Sequence, residues 1–314
     1  MHTTFELVTG MGSILSAAVL PPAYIRIIYI FFTRRKYRKL ECYRIMVQMG
    51  IVQLLTVPGT FMTGYKSVTG TDPFSIGVLS IKLYGVSFKV ESLLSLVLAL
   101  NRLRIICGLR YPTLVHDIII FCSYLYGCAI MTLMVSSCIE YDLPVGEYLP
   151  KYNISIPYTQ RYSFTTTIIQ LVSTGLTFTI YMIILSYLIW LKSKTERIKK
   201  FEKEQTILIY AGVRFAADMT LIVVYNYIKV PVIFWIEMCV MFTYFVNNLL
   251  LPPLLYLTLY KGIRQEFFAC GAKLGLHCKI SRSSETGILS GGSNRERIYQ
   301  ATKAGSNDHT GVSL

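Results

Sequence analysis

Residues 114–137 read LVHDIIIFCSYLYGCAIMTLMVSS, and this stretch decides the class of fold. After His116 and Asp117, near its start, it carries no charged side chain. The hydrocarbon core of a bilayer is about 30 Å thick, and roughly 20 apolar residues cross it as an α-helix. A helix satisfies its own backbone hydrogen bonds, which lipid cannot do. The stretch therefore predicts a transmembrane helix.

Comparable apolar segments recur along the chain. Hydrophobic residues make up 53% of the sequence and charged residues only 15%, against about a quarter in soluble domains. We therefore predict an all-α membrane protein, a seven-transmembrane helix bundle with a short amphipathic C-terminal helix. The predicted spans are Val8 to Phe32, Ile45 to Phe61 (closed by Gly64), Phe74 to Leu100, Leu114 to Ser137, Phe164 to Leu191, Thr206 to Ile228 and Pro231 to Tyr260.

Positive charge alternates between successive connections. Because basic residues are retained on the cytoplasmic side during insertion, this pattern places the N-terminus outside and the tail inside. The net charge of +14 then faces anionic lipid headgroups, so membrane lipid is the expected partner and nucleic acid is not. The basic connections carry Arg34, Arg35, Lys36, Arg38, Lys39 and Arg44; then Arg102, Arg104 and Arg110; then Lys192, Lys194, Arg197, Lys199, Lys200 and Lys203.

This plan divides the chain into four parts. Residues 1–7 are the expected external N-terminus, 8–259 the seven-helix domain, 260–276 an amphipathic helix on the inner membrane surface, and 277–314 a disordered cytoplasmic tail. The protein is expected to be a multi-pass protein of the plasma membrane. Two modifications fit this topology: glycosylation of Asn153 in an outer loop, and palmitoylation of Cys270 and Cys278 near the inner surface.

The chain shows no catalytic constellation. Its four histidines are scattered, its eight cysteines stand singly, and HExxH, CxxC, P-loop and GxSxG patterns are missing from the sequence. We therefore predict no enzyme, no metal site and no cofactor.

Charged residues inside predicted spans are costly and usually face the bundle interior. Lys82 and Lys89 lie about two turns apart on one face of the third span, with Tyr84 nearby, and Glu237 lies at a similar outer depth. One interpretation is a polar cavity that opens outward and binds a small ligand through these four residues. The other is internal pairing that only fixes helix register. In the sixth span, Arg214 and Asp218 are spaced to pair within one helix.

Three short motifs, in their order along the chain, resemble those of G-protein-coupled receptors, and more closely the nematode serpentine chemoreceptors of class T. Asn101-Arg102 closes the predicted third span, and Asn248 and Tyr256 flank Pro252-Pro253 in the seventh. The resembling stretches are Glu41 to Met46 with Gly50-Ile51, Ala99 to Arg102, and Pro252 to Leu257 with Lys261 to Arg264.

The resemblance implies a receptor for a small external molecule that activates a heterotrimeric G protein. Arg102 would turn toward the G protein, and Asn248, Pro252 and Tyr256 would form a switch in span seven. Glu202 or Glu204, at the start of span six, is expected to hold Arg102 in the resting state.

The sequence departs from the superfamily at three places. Asn101 stands where an acid is usual, which removes the usual local salt bridge with Arg102. Span three begins without the cysteine that usually ties it to the second outer loop. Span six contains no proline, so its movement would hinge elsewhere, with Gly212 as the candidate.

Two other membrane functions remain open at this stage. A seven-helix transporter could also use buried charges, although such folds often show internal repeats. A ligand-gated channel would need a polar stripe along its pore, whereas the charges here are few and mixed in sign.

Overall fold

The structure is a computed structural model that describes residues 4–72, 75–136, 138–142, 150–194, 212–224 and 234–268. The chain as far as Phe267 forms one compact unit. Within the described residues, six helical segments are long and apolar enough to cross a membrane. They are Leu7–Thr33, Glu41–Thr69, Ile76–Cys107, Leu114–Val135, Pro157–Leu191 and Cys239–Thr258.

The helices follow the predicted order of spans. Residues 212–224, here called α8, form the described part of span six, and residues 261–268 form α11. The remaining elements are α1 (Thr4–Thr33), α2 (Arg35–Arg38), α3 (Glu41–Leu54), α4 (Val57–Thr69), α5 (Ile76–Cys107), α6 (Leu114–Val135), β1 (Tyr141–Asp142), β2 (Lys151–Tyr152), α7 (Pro157–Lys194), α9 (Phe234–Phe245), a π-helical turn (Val246–Leu250) and α10 (Leu251–Leu259).

Span two continues past Gly64, which was expected to close it. It runs through α4 to Thr69 and ends at Gly70, whose φ of 69° is the left-handed conformation that glycine tolerates at a helix end. Gly64 instead marks a close helix contact, because a Cβ there would lie 2.8 Å from the Gly10 carbonyl oxygen. Small residues allow transmembrane helices to approach this closely.

Span three also continues beyond its predicted end at Leu100. Helix α5 extends to Cys107 and stops at Gly108, which has a φ of 66°. Asn101 and Arg102 therefore lie within the last two turns of α5 rather than at its end. The sequence contains no helix breaker between Leu100 and Gly108, so the polar residues there simply prolong the helix beyond the apolar run.

Span seven contains an irregular turn. The π-helical turn Val246–Leu250 connects α9 with α10, and Pro252 and Pro253 follow it after one residue. Proline has no N–H to donate, so the carbonyls one turn earlier lose their helical partners, and a wider turn relieves the clash with the proline rings.

Strands β1 and β2 form an antiparallel hairpin that defines one end of the bundle. Tyr141 pairs with Tyr152, and Asp142 pairs with Lys151. Tyr141 lies against Gly85 in the first half of α5, where a Cβ would approach the ring to 3.3 Å. We call this side the hairpin end and the opposite side the Arg102 end.

Helix α11, the first part of the expected surface helix, is fixed to α1. Arg26 donates a hydrogen bond to the Phe267 carbonyl, and its guanidinium lies 4.6 Å from the centroid of the Phe267 ring. Glu266 pairs with Arg34 at 3.0 Å, and Ile263 is buried. Residues 269–314, which include the rest of that helix and the expected tail, lie outside the described residues.

Candidate functional site

A buried polar network joins spans three, six and seven through Arg214. Its guanidinium forms an ion pair with Glu91 of α5 and a second pair with Asp218, one turn along α8, at 3.2 Å. It also donates to the Asn247 carbonyl and, at 3.1 Å, to the Asn248 side-chain oxygen in the π-helical turn. Arg214 thus connects three helices by direct contacts.

The network extends into spans one and two. Gln53 of α3 donates to the Glu91 carboxylate at 2.5 Å and accepts a hydrogen bond from the Tyr24 hydroxyl of α1. Asn247 donates to Asp218 at 2.6 Å. A buried carboxylate or guanidinium loses its hydration, and ion pairs and hydrogen bonds within the network compensate for this loss.

The predicted Arg214–Asp218 pair is present, but the main partner of Arg214 was missed. A charged residue within an apolar span indicates a buried polar site, and Glu91 is such a residue. Its pairing with Arg214 bridges 123 positions of the chain, and no sequence periodicity reports such a distance.

A cavity of about 580 Å³ adjoins this network between α5, α7 and α8. We call it the deep cavity. Its walls combine the three charged residues of the network with hydroxyl and aromatic side chains. They are Met49, Phe88, Glu91, Ser92, Ser95, Leu98, Gln170, Thr174, Thr177, Tyr181, Arg214, Phe215, Asp218 and Ile222.

A second cavity, of about 610 Å³, lies toward the hairpin end, and we call it the tyrosine cavity. It shares Phe88, Gln170 and Ile222 with the deep cavity, so the two are neighbours. Its walls are Tyr84, Gly85, Phe88, Lys89, Tyr141, Pro150, Tyr152, Thr167, Gln170, Ile222, Met241 and Tyr244.

Lys89 lies in the wall of the tyrosine cavity and is only 9% exposed. Its ammonium group donates to the Tyr152 hydroxyl at 3.0 Å and to Thr166 Oγ1 at 2.9 Å. The Tyr152 and Tyr162 ring centroids lie 5.3 and 5.0 Å from it. Such cation–π contacts contribute about 2 kcal/mol each when desolvated, which offsets part of the cost of burying the charge.

The structure brings together two of the four predicted ligand residues. Tyr84 and Lys89 line the same cavity. Glu237 is buried but forms an ion pair with Lys151 of β2 at 2.9 Å, so it anchors the hairpin. Lys82 is partly buried on α5 and does not line this cavity. Lys82 and Glu237 were grouped only because the sequence predicts a similar depth in the membrane for both.

The Arg102 end holds a second polar cluster, centred on Glu41. Its carboxylate contacts the Asn101 amide nitrogen at 2.9 Å, Arg104 at 3.2 Å and His116 Nδ1 at 2.7 Å. Arg102 is 7% exposed and donates to the Cys42 thiol. Glu41 belonged to a quoted motif, but its role was not predicted, because its partners lie on α5 and α6.

The remaining predicted residues are placed as follows. Asn248 is buried and bonds to Arg214, whereas Pro252 is buried shortly after the π-helical turn. Tyr256 packs edge-on against Phe31, with 5.4 Å between the ring centroids. Asn153 is exposed after β2. Glu202, Glu204, Cys270 and Cys278 lie outside the described residues.

Comparison with known proteins agrees with this geometry. A family model described as "Serpentine type 7TM GPCR chemoreceptor Srt" matches residues 2–276. Squid rhodopsin superposes on the structure with a TM-score of 0.68 at 10% identity, over 91% of this chain and 93% of that one, which shows a shared fold. No curated protein gives a significant sequence match. Since the family model spans most of the sequence, this multi-pass membrane protein belongs to the Srt family of serpentine seven-transmembrane chemoreceptors, within the G-protein-coupled receptors.

Proposed function

We propose that this chain is a chemosensory receptor of the plasma membrane, which binds a small external molecule and activates a heterotrimeric G protein inside the cell. The N-terminus and the hairpin end lie outside in this proposal, and the Arg102 end faces the cytoplasm. The alternation of basic connections supports that orientation. The proposed ligand site is the tyrosine cavity, with Tyr84 and Lys89 in its wall.

One observation carries the proposal: the deep cavity, which neighbours the tyrosine cavity, adjoins a buried network that connects spans three, six and seven. Arg214 lines the deep cavity and also binds Glu91 and the π-helical turn. A ligand that favours a different position of Phe88 or Arg214 would therefore change the contacts among spans three, six and seven. A ligand shifts a conformational equilibrium only through such differential contacts.

The cytoplasmic side of the proposed switch begins at Arg102. This arginine is held against Cys42, and the adjacent Asn101 against Glu41, which stabilises the resting arrangement. Along span seven, Asn248 contacts the Arg214 network, and Tyr256 packs on Phe31 of α1. We propose that activation releases Arg102 toward the G protein, with Glu204 of span six as a further restraint in the resting state.

The experiment compares the wild type with Arg102→Ala for ligand-stimulated GTP exchange on a promiscuous G protein, using a mixed odorant panel at equal surface expression. Arg102→Ala is expected to lose most of the stimulated exchange. The matched control, Arg38→Ala, removes an exposed arginine from the same side of the bundle and should respond as the wild type does.

Two results would contradict the proposal. Ligand-stimulated GTP exchange that persists in Arg102→Ala would contradict the proposed role of Arg102 in coupling to the G protein. A ligand-dependent current or substrate uptake in the absence of any G protein would instead favour a channel or a transporter.

A further inference from the structure

Among the side chains that the structure describes, no carboxylate pairs with Lys89. On the same helix, the nearby Glu91 is bound to Arg214 and Gln53. Toward the hairpin end, Glu237 pairs with Lys151 and Glu140 accepts a hydrogen bond from Asn153, while Asp72 accepts backbone N–H groups at the start of α5. A buried charge without a counter-ion is unusual, because burial removes the water that would otherwise stabilise it.

The hydrogen bonds of Lys89 leave one donor for a further partner. An ammonium group has three N–H donors, and two of them go to Tyr152 and Thr166. Because Lys89 lines the tyrosine cavity, a ligand there can reach the third. Among the residues that line this cavity, all of them described, Lys89 is the one charged side chain. An anion that enters the cavity therefore meets a cation and, among these described lining residues, no carboxylate.

The apolar part of the cavity lining suits an apolar body. Phe88 packs edge-on against Tyr244 with 5.0 Å between the ring centroids, and Met241 and Ile222 complete this part of the lining. The Tyr244 hydroxyl is already bound to the Leu221 carbonyl at 3.0 Å, so the ring presents its apolar face.

On the premise that the proposed function is right, we infer that the external ligand is a small organic monocarboxylate, with its carboxylate on Lys89 and its apolar body against Phe88 and Tyr244. One cation matches one negative charge, which favours a monoanion over a dianion such as a phosphate monoester. A hydrogen bond from an ammonium group to a carboxylate is also stronger than one between neutral groups, because both partners are charged.

The test measures binding directly, without a G protein. Purified receptor in lipid nanodiscs is titrated with octanoate and benzoate and, in parallel, with the methyl ester, alcohol and amine of the same carbon skeletons. The dissociation constant is read from the ligand-dependent shift in thermal unfolding. At least one acid is expected to bind about tenfold or more tightly than its ester, which corresponds to about 1.4 kcal/mol.

Three variants connect this preference to Lys89. Lys89→Gln should reduce acid affinity at least tenfold and leave ester affinity unchanged, and it should fold because it removes a buried charge. Lys89→Arg keeps the charge and should retain the preference for the acid. The control, Lys66→Gln, removes a lysine of α4 that does not line the cavity, and its affinities should match those of the wild type.

The inference is overturned if no acid binds, if an acid and its ester bind equally, or if Lys89→Gln binds acids as the wild type does. GTP exchange measured on the same samples separates this failure from failure of the proposed function. Acid binding that depends on Lys89 but never stimulates exchange would contradict G-protein coupling and leave the ligand class standing. Exchange stimulated only by esters, alcohols or amines would support the receptor function and overturn the inference about the ligand.

Discussion

The Glu41 carboxylate of α3 accepts a hydrogen bond from the Asn101 amide nitrogen of α5, with 2.9 Å between the atoms. The sequence places Asn101 where related receptors carry an acid, directly before the arginine of span three. Glu41 places an acid beside Asn101 from the neighbouring helix, and through Arg104 and His116 it also holds the end of α5 and the start of α6. Arg102 itself donates to the Cys42 thiol, so Glu41 stabilises the helix ends around this arginine without pairing with it.

Replacement of Glu41 by alanine is predicted to raise basal GTP exchange and lower thermal stability. The change leaves Asn101 and His116 buried without this acceptor, and such a loss typically costs about 1–3 kcal/mol for each unsatisfied group. The measurements are basal exchange and the unfolding midpoint in nanodiscs. Asp117→Ala is the control, because its ion pair with Arg44 is exposed and worth little. Equal effects of the two changes would contradict the prediction.

Replacement of Arg214 by methionine is predicted to destabilise the bundle by about 3–5 kcal/mol, since Glu91 would keep a buried charge without its cation. The additional change Glu91→Gln should recover much of this loss, although either change alone is harmful. Thermal unfolding of the two single variants and the double variant gives the interaction free energy between Arg214 and Glu91. Additive effects would show that the two residues do not depend on each other.

The close contact between α1 and α4 gives a third prediction. Gly64→Ala places a methyl group 2.8 Å from the Gly10 carbonyl oxygen, so the helices must separate, at a cost of about 1–3 kcal/mol. Gly12→Ala is the matched control in α1, because no atom lies within 4 Å of its added Cβ. The difference in unfolding midpoint between these two variants measures the contact, and equal midpoints would count against it.

Glycosylation of Asn153 tests the proposed orientation. Its side chain is exposed after β2, where a glycosylating enzyme can reach it if this end of the bundle faces the lumen during synthesis. Glycosidase treatment should increase the gel mobility of the wild-type chain and of Ser155→Thr, which keeps the acceptor sequence. Asn153→Gln should migrate like the treated wild type. A treatment-sensitive band that persists in Asn153→Gln would contradict the assignment.

The fold was predictable from local properties of the sequence. The apolar run of α6 gave its start at Leu114 without error and its end within two residues, because hydropathy is encoded residue by residue. The ends of α4 and α5 were placed too early. Gly64 was interpreted as a helix end, whereas its role is a contact with Gly10, and contacts between spans are not encoded locally.

The candidate site was predictable only in part for the same reason. The sequence placed Tyr84 near Lys89, and both line one cavity, whereas Lys82, expected on the same face as Lys89, does not line it. The partners of the buried charges could not be predicted. Glu237 pairs with Lys151, 86 positions away, and Glu41 binds His116 across 75 positions. Charged residues in spans indicate that a site exists, but only the packed bundle shows which charges meet.

The π-helical turn in span seven has a consequence for the half of the span that follows it. A π turn holds an extra residue, and each residue of an α-helix advances the chain by about 100° around the axis. Conversion of Val246–Leu250 into a regular α-turn would therefore rotate α10 by about that angle relative to α9. The Asn247 carbonyl would leave Arg214, and Tyr256 would leave Phe31, in the same movement. In such a conversion the irregular turn would act as a rotary coupling between the buried arginine and the Arg102 end of the bundle.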